Sequence, residues 1–239
     1  MNKRTIQAEM SSFVGKLLRD NFGKGPSSVY VSIKEPFITM HLREFLSPME
    51  RVLMAQNKDL KVEEIRDLLM NELLPEIKAT LYANHNLKVS ELYYDWSLHN
   101  RSGIIIGVID DNKDQAAHML EDYPNKAAIH REIEQVSKQA EKLPDAVNSC
   151  YLNDRTLIVR REGILVRIEK ELIRGGFIEP LKLTKRHLEK SLLETGDFND
   201  MLNAEIMDIF VDWDFIEDIS YIVFILKPIQ NQGSNDSDN

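Results

Sequence analysis

The chain contains one stretch twice, and this repeat constrains its fold more than any other feature. YYDWSLHNRSGIIIGVI occupies residues 93–109, and FVDWDFIEDISYIVFIL occupies residues 210–226. Each has an Asp-Trp pair, a polar turn and a β-branched run, and the two align without a gap. The spacing between the copies is much longer than the ~20–50 residues of a solenoid repeat, so it predicts a duplicated domain.

Composition fits this prediction and limits the function. The chain has 239 residues, of which 43% are hydrophobic and 29% charged, as in ordinary soluble globular proteins. The start, MNKRTIQAEMSSF, is amphipathic rather than a secretory signal, and no apolar run approaches the ~20 residues that cross a bilayer. We therefore expect a cytoplasmic protein, at most peripheral at a membrane.

Charge and cysteine content exclude further classes. The net charge is −9, and most of the acidic excess follows residue 116, which argues against nucleic acid as a partner and favours a basic partner surface. The single cysteine, Cys150, rules out a disulfide within the chain and a thiolate metal cluster. Its apolar neighbours in SCYL predict a buried thiol.

The first unit reads as α-β-β-α-α-β-β. A helix with apolar residues from Ile6 to Leu18 ends at NFGKGP, and the strands VYVSI and PFITMHL follow. Ser47, Pro48 and Glu50 then form a helix-start signal with a capping residue, a proline at the first position and a glutamate that reaches back. A long helix follows over about residues 62–84, which we expect Pro75 to bend or split, and a hairpin closes the unit.

The second unit repeats this order. We expect a helix over Ile129 to Leu143, strands at 147–152 and 156–162, helices at 164–174 and 182–195, and a closing hairpin. The fold class is therefore α+β, with two related units that each have a four-stranded, mainly antiparallel sheet and helices on one face. The predicted boundaries are 1–112 and 125–229 for the units, 113–124 for a linker and 230–239 for a disordered tail.

No pattern in the sequence predicts catalysis. None of the six histidines forms an HxxH, HxH or HExxH arrangement, and no GxSxG, SxxK or Cys-His grouping supplies a nucleophile. GKGP precedes a strand, whereas a phosphate loop precedes a helix, so it reads as a turn. We therefore expect no metal, no cofactor and no enzymatic activity.

The repeated aspartates leave two interpretations open. Strand alternation could place Asp95 and Asp212 on the polar face of each sheet, where two copies facing a cleft would form an acid-base pair. The alternative is a solvated or hydrogen-bonded strand residue beside a tryptophan that anchors the core. Glu50 likewise has its capping explanation, and Arg66 on the long helix is typical of a surface ion pair.

Residues 5–110 resemble the MpsC family, named for a Na⁺-translocating membrane potential-generating system. The resemblance rests on the Gly-x-Gly-Pro turn, the Leu-Ser-Pro-x-Glu helix start, an arginine on the long helix and an acidic residue in the penultimate strand. The second unit keeps the Asp-Trp strand but has LPDAV and ILVRIEK in place of the turn and the helix start, so it reads as a divergent copy. The candidate ligand- or partner-binding residues are Gly23, Gly25, Pro26, Glu50, Arg66, Asp95, Trp96, Asp212 and Trp213.

The resemblance implies an accessory function. Proteins of this kind accompany a membrane transport system related to ion-translocating dehydrogenase subunits and inorganic-carbon uptake, and no reaction is assigned to the domain. The leading hypothesis is therefore a non-enzymatic accessory or regulatory protein that binds a protein partner in such a complex. The alternative is a small-ligand or anion sensor with a site between the units near Arg66, Asp95 and Asp212. The sequence leaves open whether the chain forms a homodimer.

Overall fold

The computed structural model describes residues 3–110, 119 and 121–228. It contains two α+β units of the same architecture, which confirms the predicted fold class. The first unit has α1 (Lys3–Phe22), β1 (Ser28–Lys34), β2 (Phe37–Arg43), α2 (Pro48–Met54), α3 (Asp59–His85), β3 (Val89–Ser97) and β4 (Ser102–Ile109). The second has α4 (Lys126–Ala140), β5 (Ala146–Asn153), β6 (Thr156–Glu162), α5 (Arg167–Arg174), α6 (Ile178–Glu194), α7 (Phe198–Leu202), β7 (Ala204–Asp214) and β8 (Ile219–Pro228).

Each unit has a four-stranded sheet in which every pairing is antiparallel. The strand orders are β1-β2-β4-β3 and β5-β6-β8-β7. The last strand of each unit therefore lies inside the sheet, and the Asp-Trp strands β3 and β7 form an edge. An edge strand has backbone groups on one side that the sheet does not pair, so these groups need other partners.

The helices of the first unit begin and end at the predicted signals. Gly23 follows α1 at φ +72°, and a Cβ on Gly25 would lie 2.7 Å from the Gly15 carbonyl oxygen, so the turn packs too closely on α1 for any side chain there. Helix α2 has the full capping box of Ser47 and Glu50. Helix α3 runs through Pro75 as one helix, so the expected split does not occur.

The helices of the second unit differ from the prediction at their ends. Helix α5 starts later than expected, at Arg167, and α6 starts earlier, at Ile178. The short helix α7 after Gly196 was not predicted. The predicted tail at 230–239 and most of the predicted linker at 113–124 lie outside the described residues.

The two sheets pack face to face between two helical layers. Along β2, Ile38 and Met40 face the helices of their own unit, whereas Phe37 belongs to a separate core shared with the other unit. That shared core includes Ile106 of β4 and Val223 of β8, so it lies between the sheets. The layers therefore run helix, sheet, sheet, helix, and both faces of each sheet are covered.

None of the helices within 3–110 and 121–228 has the length and apolar character needed to cross a membrane.

Candidate functional site at the interface of the two units

Asp95 and Asp212 join the two units through reciprocal hydrogen bonds. The backbone N–H of Val211 donates to Asp95 Oδ2 at 2.8 Å, and the backbone N–H of Tyr94 donates to Asp212 Oδ2 at 2.8 Å. Each aspartate also accepts from the next amide of its own strand, Trp96 for Asp95 and Trp213 for Asp212. Each carboxylate therefore satisfies amides of both edge strands.

This arrangement corrects the expectation of a polar sheet face. Asp95 and Asp212 are buried, with 1% and 2% of their surface exposed, and strand alternation puts them on the side of the sheet that meets the other unit. The hydrogen-bonded strand residue is thus the interpretation that the geometry supports. Buried polar groups without partners are costly, and the aspartates supply partners at a junction where the sheets end.

Helix α6 surrounds these carboxylates with cations. Arg186 Nε lies 2.9 Å from Asp95 Oδ1, and its terminal nitrogens reach Asp67 of α3 at 3.1 Å and 3.3 Å. Lys190 donates to Asp95 Oδ2 at 2.9 Å, and Lys182 lies 2.8 Å from Asp212 Oδ1. Arg186 is 1% exposed, so its charge is neutralised almost wholly by carboxylates of the first unit.

Burial and charge shift the pKa values of this network. Burial raises the pKa of Asp67 above its ordinary value even though Arg186 opposes the shift. Burial also acts to raise the pKa of Glu63, but hydrogen bonding from His187 and the charge of Arg186 bring it below its ordinary value. Hydrogen bonding to Glu63 raises the pKa of His187. The network thus holds carboxylates that ionise at different pH.

Glu50 and Arg66 form a second buried site, inside the first unit. Arg66 donates to both carboxylate oxygens of Glu50, at 2.7 Å and 3.0 Å, and to the Phe45 carbonyl oxygen at 2.7 Å. Its guanidinium lies 4.6 Å from the ring centre of Phe45 and 4.8 Å from that of Trp96. Arg66 is fully buried, so the expectation of a surface ion pair was wrong. Its contacts fix the start of α2 against the aromatic core.

The second unit keeps this contact, although its helix start has changed. Glu169 accepts from the Val166 N–H at 3.0 Å, as Glu50 does from Ser47, and Lys185 donates to Glu169 at 3.0 Å. Val166 has no side-chain oxygen, so only half of the capping box remains. The second unit therefore lacks the serine and proline of the helix start, as ILVRIEK indicates, but it keeps the glutamate and a cation that binds it.

The remaining predicted residues lie in the turn after α1 or in the cores of the two units. Gly23 and Gly25 form the turn after α1, and Pro26 is buried at its end. Trp96 and Trp213 point into the helix-covered cores of their own units. The indole N–H of Trp213 donates to Glu189 at 3.1 Å. That any of these residues binds a ligand or a partner remains a prediction.

The structure brings Asp95 and Asp212 together at the interface, whereas Glu50, Arg66 and Trp96 lie together in the first unit and Trp213 lies in the core of the second. Sequence reasoning missed the cations of α6, Lys182, Arg186 and Lys190. Their spacing of four residues, which places them on one helical face, was the available signal. Among the described residues, no group of three or more His, Cys, Asp or Glu side chains could hold a metal ion.

Comparison with known proteins identifies both units. The family model described as "Na+-translocating membrane potential-generating system (MpsC)" matches residues 2–111 and again residues 125–228. Neither the curated proteins nor the solved structures include a significant match to the chain. The two matched segments correspond to the two structural units.

Proposed function

Since the chain belongs to the MpsC family, we propose that it is a non-enzymatic accessory or regulatory protein of a cation-translocating or inorganic-carbon membrane transport system. The observation that carries the proposal is the match of both units to a family described by Na⁺ translocation and membrane potential. The protein acts from the cytoplasmic side, where it binds a subunit of the complex.

The internal contacts of the motif carboxylates support binding rather than catalysis. Asp95 and Asp212 hold strand amides and cations of the same chain, and Glu50 is held by Arg66. A general acid or base must reach a substrate proton, and these buried carboxylates face internal partners instead. The two outer helical layers are the surfaces that we propose for a partner.

These layers expose apolar side chains at equivalent places in the two units. Met49 of α2 and Ile168 of α5 each precede the capping glutamate by one residue, and they are 61% and 66% exposed. Val52 of α2 and Phe177, just before α6, are also more than half exposed. Exposed large apolar side chains at helix junctions are suited to a protein partner.

Affinity purification of the tagged chain from gently solubilised membranes tests the proposal. We expect membrane transport subunits to be recovered with the wild type and lost with the double variant Met49→Lys and Ile168→Lys. Ile216→Lys is the matched control, because Ile216 is 88% exposed but lies in the turn between β7 and β8. Recovery of the wild type only as a free monomer would refute the accessory role, and equal loss with Ile216→Lys would refute the helical surface.

A further inference from the structure

A second feature of the interface, a cleft on one side of the paired sheets, is independent of the motif residues. It has a volume of about 510 Å³ and is lined by residues of both units, a size typical of sites for small organic ligands. Its inner wall contains His41 and Ser102 of the first unit and Asp208 of the second. Its mouth contains Arg43 and Arg155.

The inner wall carries buried polar atoms that are only weakly paired. Ser102 is 3% exposed, and both its hydroxyl and the His41 imidazole face Asp208, but neither Ser102 Oγ nor His41 Nε2 makes a hydrogen bond of full geometry among the described residues. His41 Nε2 lies 3.7 Å from Asp208 Oδ2, too far for a hydrogen bond. Buried polar atoms without partners are rare and call for an explanation. A ligand with hydroxyl groups would provide the missing partners.

Asp208 supplies the acceptor for such hydroxyls. Burial opposes its ionisation, but the facing donors, His41 first and then Asn100 and Ser102, bring the pKa of Asp208 below its ordinary value. Asn100 donates to Asp208 Oδ1 at 2.7 Å and so fixes the carboxylate across the interface. An ionised carboxylate accepts hydrogen bonds only, and it repels an anionic group at this depth. The charged part of a ligand must therefore lie further out.

The mouth of the cleft offers two cations for that charged part. Arg43 and Arg155 are exposed, and within 3–110 and 121–228 neither guanidinium belongs to an ion pair. Guanidinium groups match the oxygens of phosphate in a fixed, forked geometry. The ring of Tyr30 also lines the cleft, 6.3 Å from that of His41, and gives one wall an aromatic surface.

The cleft belongs to one side of the pseudosymmetric pair. In the closing hairpins Ile219 stands where the first unit has Ser102, and in the central ladders Arg160 stands where it has His41. Arg160 is engaged by Glu162. The polar wall is thus a product of divergence between the copies, as expected of a site that only one side needs.

We propose that this cleft binds a phosphorylated, hydroxyl-bearing metabolite of the sugar-phosphate or ribonucleotide class. The phosphate contacts Arg43 and Arg155, and the hydroxyls hydrogen-bond to Asp208, Ser102 and His41. This places the sensor function, considered from the sequence near Arg66, Asp95 and Asp212, at a different part of the interface. The inference does not depend on the accessory role.

Titration calorimetry and thermal shift on the full chain test the site. The probes are AMP and ribose 5-phosphate, with adenosine, inorganic phosphate and citrate for comparison, each up to ~1 mM. We expect AMP or ribose 5-phosphate to bind and raise the melting temperature, and each comparison compound to bind at least about tenfold more weakly. Absence of binding by both phosphorylated probes, or equal binding by citrate, would overturn the ligand class.

Two variants locate the binding. The double variant Arg43→Ala and Arg155→Ala changes only exposed side chains. It should lower the affinity for the phosphorylated probe at least about tenfold without changing the melting temperature of the free protein. Ser102→Ala should lower the same affinity by a smaller factor. Arg174→Ala, which removes another exposed arginine that does not line the cleft, is the matched control. Unchanged affinity in the double arginine variant would overturn the site.

Discussion

The long helices of the two units, α3 and α6, differ in a way that shows how the copies diverged. Glu50 pairs with Arg66, and Glu169 pairs with Lys185, each across 16 residues, so Arg66 and Lys185 are equivalent positions. Both are cations that hold a helix start of their own unit. The next residues, Asp67 and Arg186, are also equivalent, yet they carry opposite charges and contact each other.

A contact between equivalent residues marks the pseudo-twofold axis of the pair. In a symmetric pair a residue at the axis meets its own copy, so two aspartates or two arginines there would repel. Opposite charges remove this repulsion and favour pairing of the unlike units over pairing of like ones. Arg66 and Lys185, which each bind a helix start of their own unit, are both cations, whereas Asp67 and Arg186 at the axis differ in sign.

The largest effect on stability is expected when Arg186, the cation at the pseudo-twofold axis, is removed. Arg186→Met leaves Asp67, Asp95 and Glu63 buried without their main counter-charge. We expect the free energy of unfolding to fall by about 3–5 kcal/mol, measured by urea denaturation. Arg174→Ala, at an exposed ion pair, should change it by less than about 0.5 kcal/mol. Equal effects from the two variants would show that the axis charges do not hold the units together.

Substitution of the reciprocal aspartates should have the next largest effect on stability. Asp95→Ala and Asp212→Ala should each cost about 1–3 kcal/mol, because each leaves a buried amide of the other unit unpaired. Asp95→Ala should cost more, since Asp95 also contacts both Arg186 and Lys190. Hydrogen exchange provides the specific measurement. Asp95→Ala should accelerate exchange at the Val211 amide, and Asp212→Ala at the Tyr94 amide; acceleration confined to the mutated unit would contradict the reciprocal bonds.

Substitutions at the two helix starts should change the unfolding free energy by smaller amounts and in opposite directions. Ser47→Ala removes the capping oxygen of α2 and should lower the unfolding free energy by about 1 kcal/mol. Val166→Ser supplies that oxygen to α5, whose capping residue already has an extended backbone, and should raise it by about 0.5–1 kcal/mol. Thermal denaturation of the two variants checks the signs. Destabilisation by Val166→Ser would mean that the second unit uses the valine for packing.

His187 gives the smallest effect and a dependence on pH. Hydrogen bonding to Glu63 raises the pKa of His187 above its ordinary value of about 6.5. The stabilisation is therefore fully present below about pH 6.5 and is lost as pH rises through the raised pKa. His187→Gln should cost less than about 1 kcal/mol, because the imidazole is half-exposed and screened. Urea denaturation at low and high pH should show a difference between wild type and variant only at low pH.

Much of the fold could be predicted because its signals are local. The capping box at Ser47 and Glu50, the glycine turn after α1 and the hairpins depend on neighbouring residues, and each lies where expected. The unbroken path of α3 through Pro75 was not predictable from propensity, since buried side chains before and after the proline, such as Leu73 and Ile77, pack into the core and outweigh its cost. Helix α7 was missed because five residues give too short a period to recognise.

The candidate site was predicted only in part. Asp95 and Asp212 stood out because they repeat, but their partners lie about as far away along the chain as the two copies do from each other. Arg186 and Asp208 belong to no motif and gain their meaning only from what the other unit brings beside them. The cleft residues are spread over seven strands and their connecting turns, so no local pattern could identify them.

The sequence by itself determined the duplication, the order of elements and the family, because repeats, caps and turns are written in consecutive residues. Only the tertiary structure decided what the repeated aspartates do. Strand alternation gives a sheet two faces but does not say what covers them. Here the second face is covered by the other unit, so residues that would be solvated in a single domain became buried, paired and specific to one partner.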